Sequence, residues 1–393
     1  MRVCLVSIHP RLLSGQINSL IGLGHALRDR GHQVRLVTAF AEARLLDSDR
    51  VYGPEAHAGL LPAKLTRIAK IIKRLQHEAQ DADVVQLNLP TPAFSFVGDL
   101  VQAMLNRPVV VGFEAHLLAG SDYRRLPVRH APNFYLPWVA INNHLTARLS
   151  RFSAAQYVVA SQLQADELAG LGAPVDRIRV IPNLIDLQRI REEADYDVDG
   201  VDWSEDGPVI SYIGHFNHVK GVDVLIRAFP RVLEEYPNAR LLIAWSGLGS
   251  AAPIAQEIEA SGASDRIQVI GRVPVGAVLR RSTAFVLPYR FTIGQAAYPG
   301  LVLEAVASGV PLVTSDLPLL RELGEPGEVA ELARPEDPAD LAQAILRLLD
   351  DPQHRAGMVA RQQDLVSHSF DPDSLVRRYE DVYGQPSAVP AYR

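Results

Sequence analysis

The sequence predicts an α/β protein made of two Rossmann-like, doubly wound parallel-sheet domains that face a cleft. Short apolar strands alternate with amphipathic helices in both halves of the chain. The 393 residues exceed the roughly 100–200 residues of one domain. A stretch rich in acidic residues and without periodicity separates the halves. We therefore expect an N-terminal domain at 1–190, a linker at 191–207, a C-terminal domain at 208–370, and a final helix with a tail at 371–393.

The first half opens with a βαβ pattern. Residues 2–8 form an apolar run, and Ile17, Leu20 and Leu27 then recur at helical spacing. Gly31 ends that helix, and a second strand follows at 33–38. Such units build parallel sheets, whose buried strands are continuously apolar. The same kind of run predicts later strands at 84–87, 109–111, 157–159 and 178–181.

The second half repeats the pattern. Residues 209–214 predict a strand that ends in glycine, an apolar stripe over 222–233 predicts a helix, and residues 240–244 predict the next strand. Asp337 followed by Pro338 is a typical helix start, with a capping side chain and proline in the first turn. The last predicted helix covers 371–383.

Composition excludes several classes of protein. The one cysteine, Cys4, allows no intrachain disulfide, so a reducing compartment is expected, with Cys4 as a small buried hydrophobe. No apolar run has the length of a membrane span, and the short N-terminal run does not fit a signal peptide. The formal charge is +6 over 1–190 and −12 over 191–393. Neither half is basic enough to indicate a nucleic-acid-binding protein. We expect a cytoplasmic protein.

Glycines mark three points where a ligand could approach the backbone. Gly15 precedes the first helix, Gly214 ends a strand and Gly300 begins a helix. Helix N-termini expose backbone N–H groups that attract phosphate. Lys220, between a strand end and a helix start, would add a positive charge. Ordinary βα turns with a surface lysine explain the same pattern equally well.

Five segments together resemble the family-four glycosyltransferases with the GT-B fold. The most specific one, 212–229, contains Gly214, Lys220 and Gly221 in the spacing of that family's donor-binding segment. The others follow in the family's order over nearly the whole chain: 31–34, 180–186, 271–274 with 285–288, and 303–311.

The resemblance implies transfer of a sugar, expected to be a hexose, from a nucleotide diphosphate sugar with retention of configuration and without a metal or other cofactor. The N-terminal domain would hold the acceptor, and the C-terminal domain the donor. Lys220 would contact the diphosphate, and Glu304 the ribose hydroxyls. Backbone groups would complete the site, with Val273 near the base, Gly300 and Leu301 donating N–H groups to the phosphates, and Gly15 in the loop that closes over them.

The sequence departs from the family pattern in three places. His215 stands where the family usually has arginine. Ala296 replaces the first of two paired glutamates, and Gln295 is the nearest substitute. Glu114 occupies the position of the family's active-site histidine, and His116 follows two residues later. Either side chain could face the sugar. An alternative function is therefore a catalytically weak, glycosyltransferase-like partner or regulatory subunit.

Partners other than the nucleotide sugar are less defined. The acceptor could be a glycan, a lipid-linked molecule or a small molecule. Basic and apolar residues interleave over 64–75, which fits either a solvated surface helix or peripheral contact with an anionic membrane. The second reading would place the protein at the inner membrane surface. The histidines show no spacing typical of metal ligands, and a two-lobed small-molecule-binding protein is a third, less favoured class.

Overall fold

The computed structural model divides the chain into two compact units. Unit 1 contains residues 1–185, 293–298 and 370–393, and unit 2 contains residues 186–292 and 299–369. The structure describes residues 1–7, 15–38, 75–105, 107–113, 115, 145, 147–204, 206–292 and 298–385.

Unit 1 is a parallel sheet with helices on both faces. Its strand order is β2-β1-β3-β4-β5-β6. The strands are β1 (Arg2–Ser7), β2 (Gln33–Thr38), β3 (Val84–Leu89), β4 (Val109–Phe113), β5 (Gln156–Val159) and β6 (Ile178–Val180). The helices are α1 (Gly15–Asp29), α2 (Ser95–Met104), α3 (Gln162–Gly170) and, at the end of the described chain, α12 (Pro372–Gly384).

Alternation along β1 produces two cores in unit 1, one on each face of the sheet. Val3 and Leu5 pack in one cluster with residues of α1 and α12. Cys4 and Val6 point to the opposite face and pack with residues of α2 and α3. Both faces are covered, which is why the strands of this sheet are apolar throughout.

Helix α12 belongs to the core of unit 1. It buries five side chains, and its Glu380 pairs with Arg30 at 2.9 Å and with His32 at 2.7 Å. These hydrogen bonds, with Arg30 first, lower the pKa of Glu380 to about 2. The buried side chains are Leu375, Val376, Tyr379, Val382 and Tyr383.

Unit 2 is a second parallel sheet, with strand order β12-β11-β10-β7-β8-β9. Its strands are β7 (Val209–Phe216), β8 (Arg240–Gly249), β9 (Ile267–Ile270), β10 (Ala284–Leu287), β11 (Leu312–Ser315) and β12 (Glu331–Ala333). Its helices are α4 (Leu187–Glu193), α5 (Val222–Glu235), α6 (Ala251–Ser261), α7 (Val275–Arg281), α8 (Gly300–Ser308), α9 (Pro318–Arg321), α10 (Pro338–Asp350) and α11 (Pro352–Ser369).

The order of strands in unit 2 is that of the doubly wound dinucleotide-binding fold. The chain leaves β7 towards β8 and β9, then returns to β10 on the other side of β7. Strand order therefore reverses between β7 and β10. Ligands of open parallel sheets bind beyond the carboxyl ends of the strands at such a reversal.

The predicted elements of both halves are confirmed, with small shifts of their ends. Strand β7 runs two residues past Gly214 to Phe216. Asp337 caps α10 by accepting from the backbone N–H of Asp340 at 3.0 Å. Other described helices, among them α2, α6 and α11, were not predicted from the sequence.

The segment expected to be a linker is part of unit 2. The chain passes between the units at 185/186 instead of 190, because α4 already packs on α7 and α8. Within 191–207, Asp195 pairs with Arg280 at 2.5 Å, and the guanidinium of Arg281 lies 5.4 Å from the ring of Trp203. These acidic residues pair with arginines distant in sequence, which local periodicity cannot show.

Candidate functional site

The two residues that follow β7 and β10 meet at the point where strand order reverses in unit 2. Lys220 ends a short 3₁₀ turn after β7, and Tyr289 follows β10. The Nζ atom of Lys220 lies 4.7 Å from the centroid of the Tyr289 ring. The fold therefore places a cation at the edge where a ligand is expected.

The β7–α5 loop fixes the position of Lys220. The side chain of Asn217 accepts a hydrogen bond from the backbone N–H of Lys220 at 3.1 Å. Gly221 has φ of 68°, and a Cβ there would lie 2.0 Å from the carbonyl oxygen of Pro288. Glycine is required on both counts, since it tolerates positive φ and lets the two backbones touch.

A buried ion pair between Arg290 and Asp223 also fixes this loop. The Arg290 side chain is 3% exposed and contacts the carboxylate of Asp223 at 2.5 and 2.8 Å. It also donates to the carbonyl of His218 at 2.7 Å and pairs with Glu336 at 3.0 Å. Arg290 thus ties the turn before Lys220 to the start of α5.

Burial acts on the charges of this site. Desolvation lowers the pKa of Lys220 to about 8. Burial also raises the pKa of Tyr289, and the negative charge of Glu304 raises it further. The charge of Glu304 thus acts on the same tyrosine whose ring the Lys220 ammonium contacts.

Glu304, on α8, is paired with an arginine that sequence reasoning missed. Arg189 of α4 donates to the Glu304 carboxylate in a very short contact and to Glu193 at 3.1 Å. Burial raises the pKa of Glu304, whereas the charge of Arg189 lowers it. The only local signal in the sequence was the i,i+4 spacing of Arg189 and Glu193.

Helix α8 begins with exposed backbone donors. Its N-cap residue, Pro299, provides no side-chain cap, and among the described residues no atom lies within 4 Å of where a Cβ of Gly300 would be. The N–H groups of Gly300 and Leu301 are in the first turn, where helical hydrogen bonding leaves them unused. This end of α8 is suited to an anion.

Three more predicted donor residues, Gly214, His215 and Val273, lie near the carboxyl ends of strands in unit 2. Gly214 is close to the end of β7, and a Cβ there would meet the Tyr212 hydroxyl at 2.6 Å. Nδ1 of the half-buried His215 is 2.5 Å from Oγ of Ser246 on β8. Val273 lies between β9 and α7.

Other predicted residues lie in unit 1 or outside the described residues. Gly15 is the first residue of α1 in unit 1. Glu114, His116 and Gln295 lie outside the described residues, as does all of the basic segment 64–75 except Leu75. Their roles remain predictions.

Unit 1 has its own hollow at the carboxyl ends of β3 to β6, about 450 Å³ when counted to its open mouth. Amide side chains form part of its wall: Nε2 of Gln86 donates to Oδ1 of Asn88 at 3.0 Å, and the Tyr383 hydroxyl donates to Gln86 in a very short contact. The lining residues in the described part of the chain carry no charged side chain. Such a surface suits a hydroxyl-bearing ligand.

Other chemistry finds little support in the described residues. Cys4 is buried in the sheet, and burial raises the pKa of its thiol to about 12, which leaves the unreactive thiol at neutral pH. No group of three or more His, Cys, Asp or Glu side chains in the described ranges is arranged to hold a metal ion. None of the helices described is both long and apolar enough to cross a membrane.

Two family models match the chain, one on each half. The model described as "Glycosyltransferase Family 4" matches residues 13–189, and the model described as "Glycosyl transferases group 1" matches residues 207–351. Together they cover every strand of both sheets except β1, and they include Lys220 and Glu304.

Full-length relatives agree with these matches. A phosphatidyl-myo-inositol mannosyltransferase from Mycobacterium leprae is 25% identical over 402 residues, which covers 99% of both chains. Sucrose-phosphate synthase from Thermosynechococcus elongatus superposes with a TM-score of 0.75 over 98% of both chains at 18% identity. Alr3699/HepE from Anabaena, solved with UDP-glucose, superposes with a TM-score of 0.72 at 17% identity, covering 97% of this chain and 98% of that one.

The two parallel sheets, the family matches in sequence order and the full-length relatives lead to one conclusion. The chain is a member of the family-four glycosyltransferases, enzymes with the GT-B fold.

Proposed function

We propose that this enzyme transfers a sugar from a nucleoside diphosphate sugar bound at the carboxyl edge of the unit 2 sheet. The diphosphate would rest between Lys220 and the first turn of α8, and the ribose hydroxyls would donate to Glu304. The observation that carries the proposal is the position of the Lys220 ammonium over the Tyr289 ring at the strand-order reversal. UDP-glucose, the ligand of the Anabaena protein, is a suitable first donor to test.

The chemistry that these groups can provide is stabilisation of the leaving group. As the bond between sugar and diphosphate breaks, negative charge grows on the phosphate oxygens. A fixed ammonium and oriented backbone N–H groups favour that charge without reorganising. Family membership favours transfer with retention of configuration and without a metal ion.

The acceptor is proposed to bind in unit 1. The hollow with Gln86 and Asn88 offers amide groups that can exchange hydrogen bonds with hydroxyls. The relative from Mycobacterium leprae is named for a lipid-linked polyol acceptor, so a lipid-linked acceptor reached at an anionic membrane surface is one form of this proposal. Co-sedimentation with anionic vesicles at low salt tests the membrane contact, and absence of binding contradicts it.

Calorimetric binding of UDP, GDP and ADP tests the donor site. We expect Lys220→Ala to weaken binding of the preferred nucleotide at least roughly tenfold, the worth of a charge-assisted hydrogen bond. Arg231→Ala removes an equal charge from an exposed position on α5 and should leave binding unchanged. Wild-type affinity in Lys220→Ala would refute the proposed site.

Turnover of UDP-glucose, GDP-mannose and ADP-glucose with candidate acceptors tests the reaction itself. Retention predicts that the product keeps the anomeric configuration of the donor, as read by proton NMR, and that activity survives EDTA. Tight nucleotide binding without turnover of any donor would instead favour the partner-subunit alternative.

A further inference from the structure

Arg189 joins three acidic side chains in unit 2. Besides its short contact with Glu304, its guanidinium contacts Glu193 at 3.1 Å and lies 3.9 Å from Asp186. Asp186 also caps α4 by accepting from the backbone N–H of Arg189 at 2.9 Å. The arginine is therefore held at both its backbone and its side chain.

The anchor on the far side of Arg189 is rigid. The Glu193 side chain is 5% exposed, and its carboxylate accepts from the backbone N–H of Gly276, near the start of α7, at 3.2 Å. A Cβ on Gly276 would lie 2.1 Å from the carbonyl oxygen of Ile190, so α4 and α7 touch backbone to backbone. A guanidinium held at one end by this framework can fix a carboxylate at its other end.

We propose that Arg189 is a positioning residue that orients the Glu304 carboxylate toward the ribose hydroxyls of the donor. The inference rests on the proposed function, since it assumes that Glu304 accepts from the donor. An ionised carboxylate offers only acceptors, whereas a protonated one turns one oxygen into a donor and competes with a ribose hydroxyl. Arg189 is placed to hold both the direction and the charge of that group.

The groups that face Glu304 make this role sensitive to pH. Burial, Glu193 and Asp186 raise the pKa of Glu304, Arg189 lowers it, and Tyr289 faces it as a neutral phenol. Without the guanidinium, burial and two negative neighbours act unopposed. The carboxyl then takes up its proton at a higher pH. As the solution is acidified, donor binding therefore begins to weaken at a higher pH than in the wild type.

The test compares ribose recognition across pH in three variants. The ligands are the best-bound of UDP, GDP and ADP and its 2′,3′-dideoxy analogue, measured by calorimetry between pH 5 and 8. Arg189→Gln removes the charge, Arg189→Lys retains it, and Arg191→Gln is the control, an exposed arginine on the same helix. Circular dichroism verifies the fold, and Arg189→Gln with Glu193→Gln relieves the carboxylate left buried.

In the wild type we expect the dideoxy analogue to bind roughly tenfold more weakly than the parent nucleotide. Arg189→Gln should lose most of that preference, and the preference that remains should be smaller at pH 5.5 than at pH 8, with partial rescue in Arg189→Lys. Arg191→Gln should behave as wild type. An unchanged hydroxyl preference and pH profile in Arg189→Gln overturns the inference.

Glu304→Gln separates the inference from the proposed function. If this variant loses the hydroxyl preference while Arg189→Gln keeps it, the donor site stands and only the role of Arg189 is wrong. If Glu304→Gln keeps the wild-type preference, Glu304 does not bind the ribose, and both the proposed donor site and the role of Arg189 are wrong.

Discussion

Burial acts in opposite directions on the two charged residues that define the candidate site. It lowers the pKa of Lys220 and raises that of Glu304, so each group is pushed toward its neutral form. Arg189 opposes this effect at Glu304. The aromatic face of Tyr289 supports the charge of Lys220. A bound anionic ligand would favour the charged form of Lys220.

Lys220→Met should therefore stabilise unit 2 while weakening nucleotide binding. The folded-state pKa of about 8 lies below the ordinary 10.5, so the folded protein binds this proton less tightly than the unfolded chain. The neutral amine causes no loss of stability above pH 10.5. As the pH falls through 8, the buried amine becomes protonated and the folded state loses stability relative to the unfolded chain. At pH 7 the substitution should raise the unfolding free energy by about 1–2 kcal/mol.

Urea unfolding at pH 7 and pH 10, followed through the fluorescence of Trp203 and Trp245 in unit 2, measures this change. The gain should shrink at pH 10, where the wild-type amine is mostly neutral. Arg231→Met, an exposed cation on the same helix, should show no gain at either pH. A Lys220→Met variant less stable than wild type at pH 7 would contradict the prediction.

At the scale of elements, close backbone contact and an ion pair fix the β7–α5 loop. The turn after β7 rests on the carbonyl of Pro288 through Gly221, and Arg290 binds the turn to α5. These contacts support the loop conformation that places Lys220 over Tyr289. Gly262, after α6, has nearly the same backbone conformation, with φ of 71°, but no atom lies within 4 Å of its Cβ position among the described residues.

The two glycines give a matched pair of substitutions. Gly262→Ala should cost about 1–2 kcal/mol, the strain of a left-handed alanine. Gly221→Ala adds a collision with backbone and should cost at least about 2 kcal/mol more. Thermal and urea unfolding of unit 2 measure both changes. Equal costs would show that Pro288 moves away easily, and this contact would then not fix the β7–α5 loop.

Elements with a clear local pattern were predictable, and contacts between distant residues were not. A few consecutive residues are enough to recognise the apolar runs of β1 and β7 and the capped start of α10. Arg189 and Glu304 are 115 residues apart, so only the fold brings them together. Lys220 and Glu304 were predicted as donor-site residues from the family resemblance, because periodicity does not show which turns meet.

At the scale of the whole molecule, unit 1 is completed by a helix distant in sequence, whereas unit 2 includes the segment that directly precedes its first strand. Unit 1 needs α12, which buries Tyr379 and Tyr383 against strands that begin the chain. Unit 2 contains the 186–207 segment, whose acidic residues pair with arginines of α7. Composition alone suggested a linker there, because polar residues that pair at long range look the same in sequence as residues in solvent.

A chain ending at Ser369 should lose the fold of unit 1 and keep that of unit 2. Removing α12 exposes five buried side chains, each worth about 1.5–3 kcal/mol when buried. Calorimetry should show one thermal transition instead of two, with nucleotide binding retained. A chain ending at Gln385 keeps α12 and serves as the control. Persistence of both transitions in the shorter chain would contradict the prediction.

The place of α12 also sets an order of events during synthesis. All residues of unit 2 leave the ribosome before α12 does, so this later unit can finish folding first. Until α12 has left the ribosome, one apolar face of the unit 1 sheet lacks the side chains that α12 packs against it. During that interval the nascent chain is a natural client for chaperones, and slow translation of the last helix prolongs the exposure.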